Sequence, residues 1–368
     1  MLPRHPLLFK VTTIFVLVSL VGVMLYNSKP TIIITRNFVV VTRAPNPFTE
    51  EMQTKGTPNV TSKVTTARNT TIKPNTTTTS TTTHSPTTEQ YKHIVDGKNL
   101  EFLINQNSCV SGTYLMIYIH SGPENSERRR VIRSTWGTPD ILQRYHAKLV
   151  FVMGEPDDEN TQAAVENESE VYQDIVQGNF TDAYRNLTYK AITGLKWVTE
   201  NCGDAVYVLK TDDDIIVDIH RVVRLMRAYL EKKWGVANVL GGYMWPHMDV
   251  NRNKSSKWYT SPEDYAEAFF KVYLSGSAYI MSTDVVKQFY IKSHEVPFFW
   301  VDDYYVTGML AHALNIDHNS LNDRYILENT ADIKGRLEKD KKTRLVFIHS
   351  PNTNTSNFAW QKFVDRWV

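Results

Sequence analysis

Three consecutive aspartates, Asp212, Asp213 and Asp214, end the apolar run that begins at Val206 in the stretch VYVLKTDDDIIVD. Adjacent carboxylates repel one another and Asp is a poor strand residue, so something positively charged belongs beside them. Along an extended chain Asp212 and Asp214 face one side and Asp213 the other. Two carboxylates on one face form a hard oxygen site for a divalent ion, whose shell is completed by ligand phosphates and water. A calcium loop does not fit, because the alternating D-x-D-x-D-G pattern is missing. A solvated turn, capping a helix that begins near Asp218, explains the same residues. The run alone leaves cap and metal site both open.

Four further stretches bear on that choice. SERRRVIRSTWG offers Arg128, Arg129, Arg130 and Arg133. Arg129 and Arg133, four apart, share a helix face and can fork onto phosphates, or form a solvated basic face. FFWVDDYYVTGML sets Asp302 and Asp303 after an aromatic run and before a helix, where a carboxylate is a cap or a reacting group. FKVYLSGSAYIMS carries Ser275, Gly276 and Ser277, where glycine permits close backbone approach to a ligand or marks a β-bulge. LVFIHSP ends at His349, a structural histidine or a late metal ligand.

The surrounding pattern says what must position these groups. TYLMIYIH (113–120) and KLVFVMG (148–154) are short apolar runs bounded by polar turns, as in buried strands, with a helix between them at ENSERRRVIRSTW. Tyr184, Leu187, Ala191, Leu195 and Val198 recur at three- and four-residue spacing, which predicts an amphipathic helix leading into the strand AVYVLK. Alternating strands and helices imply a mostly parallel sheet with right-handed crossovers. Such sheets bind ligands beyond the carboxyl ends of their strands, which is where the aspartates fall.

The chain of 368 residues has a formal charge of +2, so no global basic field points to nucleic acid. Arg4, His5 and Lys10 surround or precede an apolar stretch at 7–26, long enough for a bilayer span and without a small-x-small cleavage site. Positive charge ahead of the span predicts a cytosolic tail (1–6), a transmembrane signal anchor (7–26) and a luminal remainder. A Thr- and Pro-rich tract at 54–88 reads as a disordered, O-glycosylated stem, spanning 27–98, ahead of a globular part at 99–368. Asn-x-Ser/Thr sequons stand at Asn59, Asn69 and Asn75, and again at Asn167, Asn179, Asn186, Asn253 and Asn354. Cys109 and Cys202, the only cysteines, suit neither a disulfide scaffold nor a metal motif; they can pair in an oxidising lumen or remain unpaired.

The ordered set RRRVIRSTWG, DAYRNLTYKAITGLKWVTENC, LKTDDDIIVD, VYLSGSAYIMS, VDDYYVTG and VFIHSP resembles the motifs of the β-1,3-galactosyltransferase-like glycosyltransferases (glycosyltransferase family 31), from about Tyr114 to the C-terminus. The resemblance implies a GT-A type, Rossmann-like α/β domain, a UDP-sugar donor, manganese, and inversion at the sugar carbon to form a β-1,3 link. It also implies a glycan acceptor on glycoprotein or glycolipid and a single-pass type II Golgi membrane protein. By the same resemblance Asp212 and Asp213 belong to the family's donor-binding DxD-type element, with Asp214 the direct metal ligand and His349 completing the metal site. Arg129 and Arg133 match donor-binding arginines, and Asp303 matches the general base. Two departures bear on acceptor fit and efficiency: Asp302 stands where the family has Glu, and DDDIIVD lacks the usual aromatic after the aspartates.

The chemistry accounts for the residue types. Displacing UDP builds negative charge on the diphosphate, which a cation and arginines stabilise, while a carboxylate takes the acceptor hydroxyl's proton. The resemblance makes galactose the first expectation for the sugar, with N-acetylglucosamine and N-acetylgalactosamine behind it. A metal-dependent phosphohydrolase would need a further acid or histidine cluster for a second ion. A non-catalytic, stalked carbohydrate-binding surface protein explains the anchor and the threonines, but not the aspartate run together with Asp303.

Overall fold

The computed structural model describes residues 94–95, 97–327, 333–340 and 344–367, together with the backbone of Thr31–Thr35 and Phe38–Thr42. The chain divides into two units, Met1–Thr83 and His84–Val368. In the first, Thr31–Thr35 and Phe38–Thr42 pair as an antiparallel ladder inside the expected stem. The expected anchor at 7–26 and the Thr-rich tract at 54–88 lie outside the described residues. Among the described residues no helix is long and apolar enough to cross a membrane. In the second unit, Val95 and Leu100, each 2% exposed, belong to the core, so the folded part begins before residue 99.

The strands that position the site are β1 (Phe102–Ile104), β2 (Leu115–His120), β3 (Ala147–Glu155), β4 (Ile175–Thr181), β5 (Tyr207–Asp212), β6 (Ile215–Val217), β7 (Leu240–Trp245), β8 (Tyr273–Ser282), β9 (Asn319–Ser320), β10 (Tyr325–Ile326) and β11 (Phe347–His349). The helices that position the site include α1 (Ser126–Ser134), α2 (Glu159–Tyr172), α3 (Leu187–Asn201), α4 (Ile219–Leu225), α5 (Thr283–Lys292), α6 (Asp302–Tyr304, continued by a π-turn at Tyr305–Leu310) and α7 (Thr353–Val364).

Eight strands form one sheet in the order β9-β7-β8-β5-β2-β3-β4-β1. The expected parallel pairing holds in its centre, where β2 runs parallel to β3 and β5, and β3 to β4. The flanks depart from it: β8 is antiparallel to β5 and β7, and β1 to β4. The sheet is therefore mixed.

All six residues of β2 are buried, as in a strand covered on both faces. Its alternate side chains separate cleanly. Leu115, Ile117 and Ile119 join a core layer with Ile132 of α1, Val222 of α4 and Phe363 of α7. Met116 and Tyr118 join the other layer, with Ala191 and Leu195 of α3 and Phe289 of α5. The two-residue period thus sends helices to both faces. The helix α3 is more deeply placed than a one-faced amphipathic pattern predicts, with every residue from Thr188 to Val198 buried. It lies against the sheet on one side and against α5 and α6 on another. Cys109 and Cys202 are joined by a disulfide, which ties the segment ahead of β2 to the C-terminal end of α3.

The chain runs outward through β2, β3 and β4, then returns to place β5 on the other side of β2. The strand order reverses there, and His120 and Asp212, the last residues of β2 and β5, stand opposite one another. This is the crevice in which such sheets bind ligands. Beside it β6, β11 and β10 form a small second sheet, in which Ile215 pairs with His349.

Candidate active site

A cavity of about 880 Å³ opens at this crevice, with Asp212, Asp213 and Asp214 in its wall and Asp302 and Asp303 lining it as well. The three neighbouring aspartates have three different environments. Asp212 accepts a hydrogen bond from Lys210 Nζ at 2.7 Å. Burial pushes its carboxyl up to about 7, against the pull of Lys210. Asp213 accepts from Ser121 Oγ (2.8 Å), Asn125 Nδ2 (2.9 Å) and Arg128 Nη1 (2.9 Å), so it braces the loop between β2 and α1. Asp214 Oδ2 lies 3.4 Å from Arg128 Nη1 and 3.5 Å from His349 Nε2. Burial raises the Asp214 carboxyl, but His349 and Arg128 outweigh it and hold it below the usual range. The bond to Asp214 in turn raises His349.

The expected alternation of faces fails at the third aspartate. The strand β5 ends at Asp212 and the chain turns before β6, so Asp213 and Asp214 both reach Arg128. None of the three is a helix cap. That role belongs to Asp218, whose side chain accepts from Arg221 N at the start of α4.

Asp303 lines the same cavity. Its Oδ2 accepts from Gly276 N at 3.2 Å and its Oδ1 from Tyr304 N at 2.8 Å. A Cβ on Gly276 would meet Asp303 Cβ at 3.2 Å, so the glycine serves close approach to this carboxylate. Burial, and then repulsion from Asp302, push the Asp303 carboxyl above its ordinary value. Neither Asp302 nor Asp303 caps the helix; Val301 holds the N-cap position.

The structure does not bring Arg129 and Arg133 to the cavity. Arg129 is fully buried, and all five of its N–H donors are used: on Glu168, Ser121 Oγ and the carbonyls of Gly122 and Pro123. Arg133 pairs with Glu168 and Asp174, and its guanidinium lies over the Tyr172 ring. The two do share a helix face, but it is the face turned toward the acids of α2 and β4's approach rather than toward the crevice. Arg128, one residue earlier and so about 100° around the helix, takes the cavity position. Its side chain is 44% exposed, and among the described residues its Nε and Nη2 make no hydrogen bond.

Sequence reasoning names Arg128 but assigns the donor role to its neighbours, and it passes over Lys210, Lys190 and His120. The signal for Lys210 was present: two residues before Asp212, it lies on the same strand face. Its ammonium also bonds the Gly276 carbonyl, linking the two acidic groups of the cavity. Lys190 reaches the Ser121 carbonyl and Asp182 from inside α3, a position its sequence neighbours mark as core.

The structure thus presents a mixed α/β sheet whose switch-point crevice gathers carboxylates, a histidine and a half-exposed arginine. The galactosyltransferase family model matches residues 127–322, more than half of the chain, and the chain belongs to that family. It is 34% identical over 198 residues to mouse beta-1,3-galactosyltransferase 5, covering 54% of this chain and 63% of that one. To human beta-1,3-galactosyltransferase 2 it is 32% identical over 224 residues, covering 60% of this chain and 52% of the relative. To mouse beta-1,3-galactosyltransferase 1 it is 31% identical over 227 residues, with 60% and 68% covered. The matched stretch thus spans about half to two thirds of these relatives' lengths. Among solved structures, a glycosyltransferase involved in glycosylation of the major capsid of PBCV-1 aligns over 67% of this chain and 98% of its own, at 11% identity and a TM-score of 0.38. That likeness is too loose to argue from.

Proposed function

We propose that the chain is an inverting transferase that moves a hexose, galactose first among the candidates, from a UDP-sugar to a glycan in β-1,3 linkage, on a GT-A type domain. The observation that carries this reading is one cavity lined by two differently partnered carboxylates: Asp214, against Arg128 and His349, and Asp303, held by the Gly276 and Tyr304 backbone N–H groups. Inversion in a single displacement requires both a leaving-group stabiliser and a base.

In that reaction the acceptor oxygen forms a bond to the anomeric carbon while the bond from that carbon to the diphosphate oxygen breaks. The electron pair leaves with UDP. Asp303 takes the acceptor's proton, and its raised pKa makes it a stronger base than an ordinary carboxylate. Arg128 has Nε and Nη2 available for the departing diphosphate. Asp213 fixes Arg128 in place, and Lys210 holds Asp212.

The donor set suits a divalent ion such as manganese: a carboxylate held ionised, in the turn between β5 and β6, and an imidazole at the end of β11 converge, each 27% exposed. Among the described residues no third acid, histidine or cysteine joins them, so phosphate oxygens and water would complete the shell. The ion would supply positive charge at the diphosphate.

The cellular setting proposed is a single-pass type II Golgi membrane protein with this unit in the lumen. The apolar stretch at 7–26, the disulfide and the exposed sequons at Asn167, Asn253 and Asn354 support it. The test of the whole reading is a donor-hydrolysis and transfer screen of the purified protein with manganese and a panel of UDP-sugars. One UDP-sugar is expected to be consumed well above the rest. Equal indifference to all of them would end the reading.

A further inference from the structure

The carboxylate of Asp303 is held by a stretch of β8 that its neighbouring strands leave unpaired. The ladder with β5 covers Ala278 to Ser282, and the ladder with β7 covers Tyr273, Leu274 and then Tyr279 to Met281. Ser275, Gly276 and Ser277 fall between, outside the register on either side. From inside this bulge Gly276 N donates to Asp303 Oδ2. A bulge beside a site re-aims the chain by giving up regular pairing. Something other than the ladder must then hold it still.

Side chains of β5 take over where the ladder ends at Thr211 and Ala278. Thr211 Oγ1 donates to the Ser277 carbonyl at 3.0 Å, and Lys210 Nζ donates to the Gly276 carbonyl. Lys210 is only 1% exposed, and a buried charge persists only when it is paired. Burial lowers its ammonium, but Asp212 and then Asp302 and Asp303 outweigh that and keep it charged. Neutralising Asp212 takes a single bond, at 2.7 Å; the second, to Gly276, is a separate commitment of the ammonium. Asp212 Oδ1, Lys210 Nζ, the Gly276 carbonyl and N–H, and Asp303 Oδ2 thus form one continuous chain.

We propose that Lys210 is a positioning residue for the transfer step: it fixes the Gly276 bulge and, through that bulge, the carboxylate of Asp303. This rests on the reading of Asp303 as the base and adds the group that holds it in place. Lys210 bonds Asp212 and Gly276, so it acts on Asp303 through the backbone and through its charge. The titratable groups that act on or feel Asp303 are Asp302 from α6, Lys210 from β5, Tyr273 from β8 and Tyr184 from the turn ahead of α3 (Tyr184–Asn186). Burial and Asp302 raise its carboxyl, while the Gly276 and Tyr304 N–H groups and Lys210 pull it down. Lys210 is the cation among these groups, so its removal raises Asp303 further.

The test is a double-mutant cycle on Lys210 and Asp303. It is read as kcat for consumption of UDP-galactose, UDP-N-acetylglucosamine or UDP-N-acetylgalactosamine, whichever the protein uses, with manganese present. Lys210→Met should lower kcat about tenfold or more, and should add little once Asp303 is already replaced by Asn. UDP affinity measured by calorimetry should change less than kcat, which also shows that the variant is folded. The acid limb of the pH–rate profile should move to higher pH in Lys210→Met and return in Lys210→Arg, which keeps the charge and its donors. Gly276→Ala disturbs the bulge without touching the charge. Its Cβ would meet Asp303 Cβ at 3.2 Å, so kcat should fall severalfold with the limb in place. The same loss from Lys210→Met with and without Asp303, or a loss with an unmoved limb, would make Lys210 a partner of Asp212 alone and overturn the proposal. If Lys210→Met does not fold, a parent-like kcat in Gly276→Ala overturns it instead. A parent protein that consumes none of these UDP-sugars removes the transferase reading, and a parent-like Asp303→Asn removes the base; either result takes the role of Lys210 with it.

Discussion

The cavity contains two acidic groups of similar composition and opposite treatment. The aspartates at 212–214 are surrounded by compensation: Lys210 on Asp212, three donors on Asp213, Arg128 and His349 on Asp214. The pair Asp302 and Asp303 receives far less. Asp303 has two backbone N–H groups, and the one imidazole near Asp302, His120 at 3.9 Å, is held neutral by burial and by Lys210 and Lys190. Asp214, which despite burial is held below the usual carboxylate range by His349 and Arg128, stays ionised and suits a cation and a leaving group. Asp303, raised by burial and by Asp302, suits proton transfer near neutrality, and burial raises Asp212 too despite Lys210. What separates the two jobs is therefore the count and charge of neighbours, not the residue type.

The largest expected effect breaks the compensated side. Asp214→Ala removes the carboxylate that His349 and Arg128 share, and manganese-dependent UDP binding should be abolished while the protein stays folded. Calorimetry with UDP and manganese checks it. A lost surface cap would cost only about 1 kcal/mol of stability and leave binding intact, so unchanged affinity would return these aspartates to a structural role.

Next comes the uncompensated side. Asp303→Asn should lower the transfer rate by ~100-fold or more, the usual worth of a positioned base, with UDP and manganese affinity nearly unchanged. The same variant should be more heat-stable than the parent at alkaline pH. The folded state raises this carboxyl's pKa, so stability is lost as pH rises from the unfolded value through the folded one, and a neutral amide escapes that loss. Melting temperatures compared at pH 5 and pH 8 should show the advantage at pH 8 and little at pH 5. A variant that transfers sugar at the parent rate would remove Asp303 from the mechanism.

The comparison also shows where sequence reading reached and where it stopped. The aspartates, His349 and Asp303 were legible because they end apolar runs, and a run's end marks a sheet edge. Their grouping was not. His349 meets Asp214 only because β11 pairs with β6, a register over more than a hundred residues that no local pattern encodes. The arginines show the same limit from the other side. Spacing correctly placed Arg129 and Arg133 on one helix face but carried no information about what that face meets, since Glu168 and Asp174 are 35 to 41 residues away. The parallel centre of the sheet followed from alternating elements. One antiparallel flank joins β7 to β8, which no helix separates in the way the alternation rule assumes, and the other is made by β1, ahead of the alternating elements.

A matched pair of arginine variants sharpens that point with a smaller effect on function. Arg128→Ala should weaken UDP binding about tenfold by removing one charge-assisted contact, with little change in melting temperature. Arg129→Ala should do the reverse, stripping Glu168 of one of its two guanidinium partners and the Gly122 and Pro123 carbonyls of their donor, at a cost of about 3 kcal/mol of stability. Urea unfolding alongside UDP calorimetry separates them. Equal loss of UDP affinity in both would restore Arg129 to the donor site.

The smallest effect is the most specific test of the uncompensated pair. Asp302 raises the Asp303 carboxyl by repulsion, second only to burial. Asp302→Asn keeps the side chain's size and removes the charge. Because the base must be deprotonated to act, activity falls as pH drops through its pKa, and a raised pKa sets that fall at a higher pH than an ordinary carboxylate would. Removing the repulsion should move the acid limb of the pH–rate profile to lower pH. At the optimum the rate should drop only modestly, since a weaker base accepts the proton less readily. The sign is what matters: a limb that moves to higher pH would mean that Asp302 stabilises the ionised Asp303, and an unmoved limb would leave burial alone as the cause of the shift.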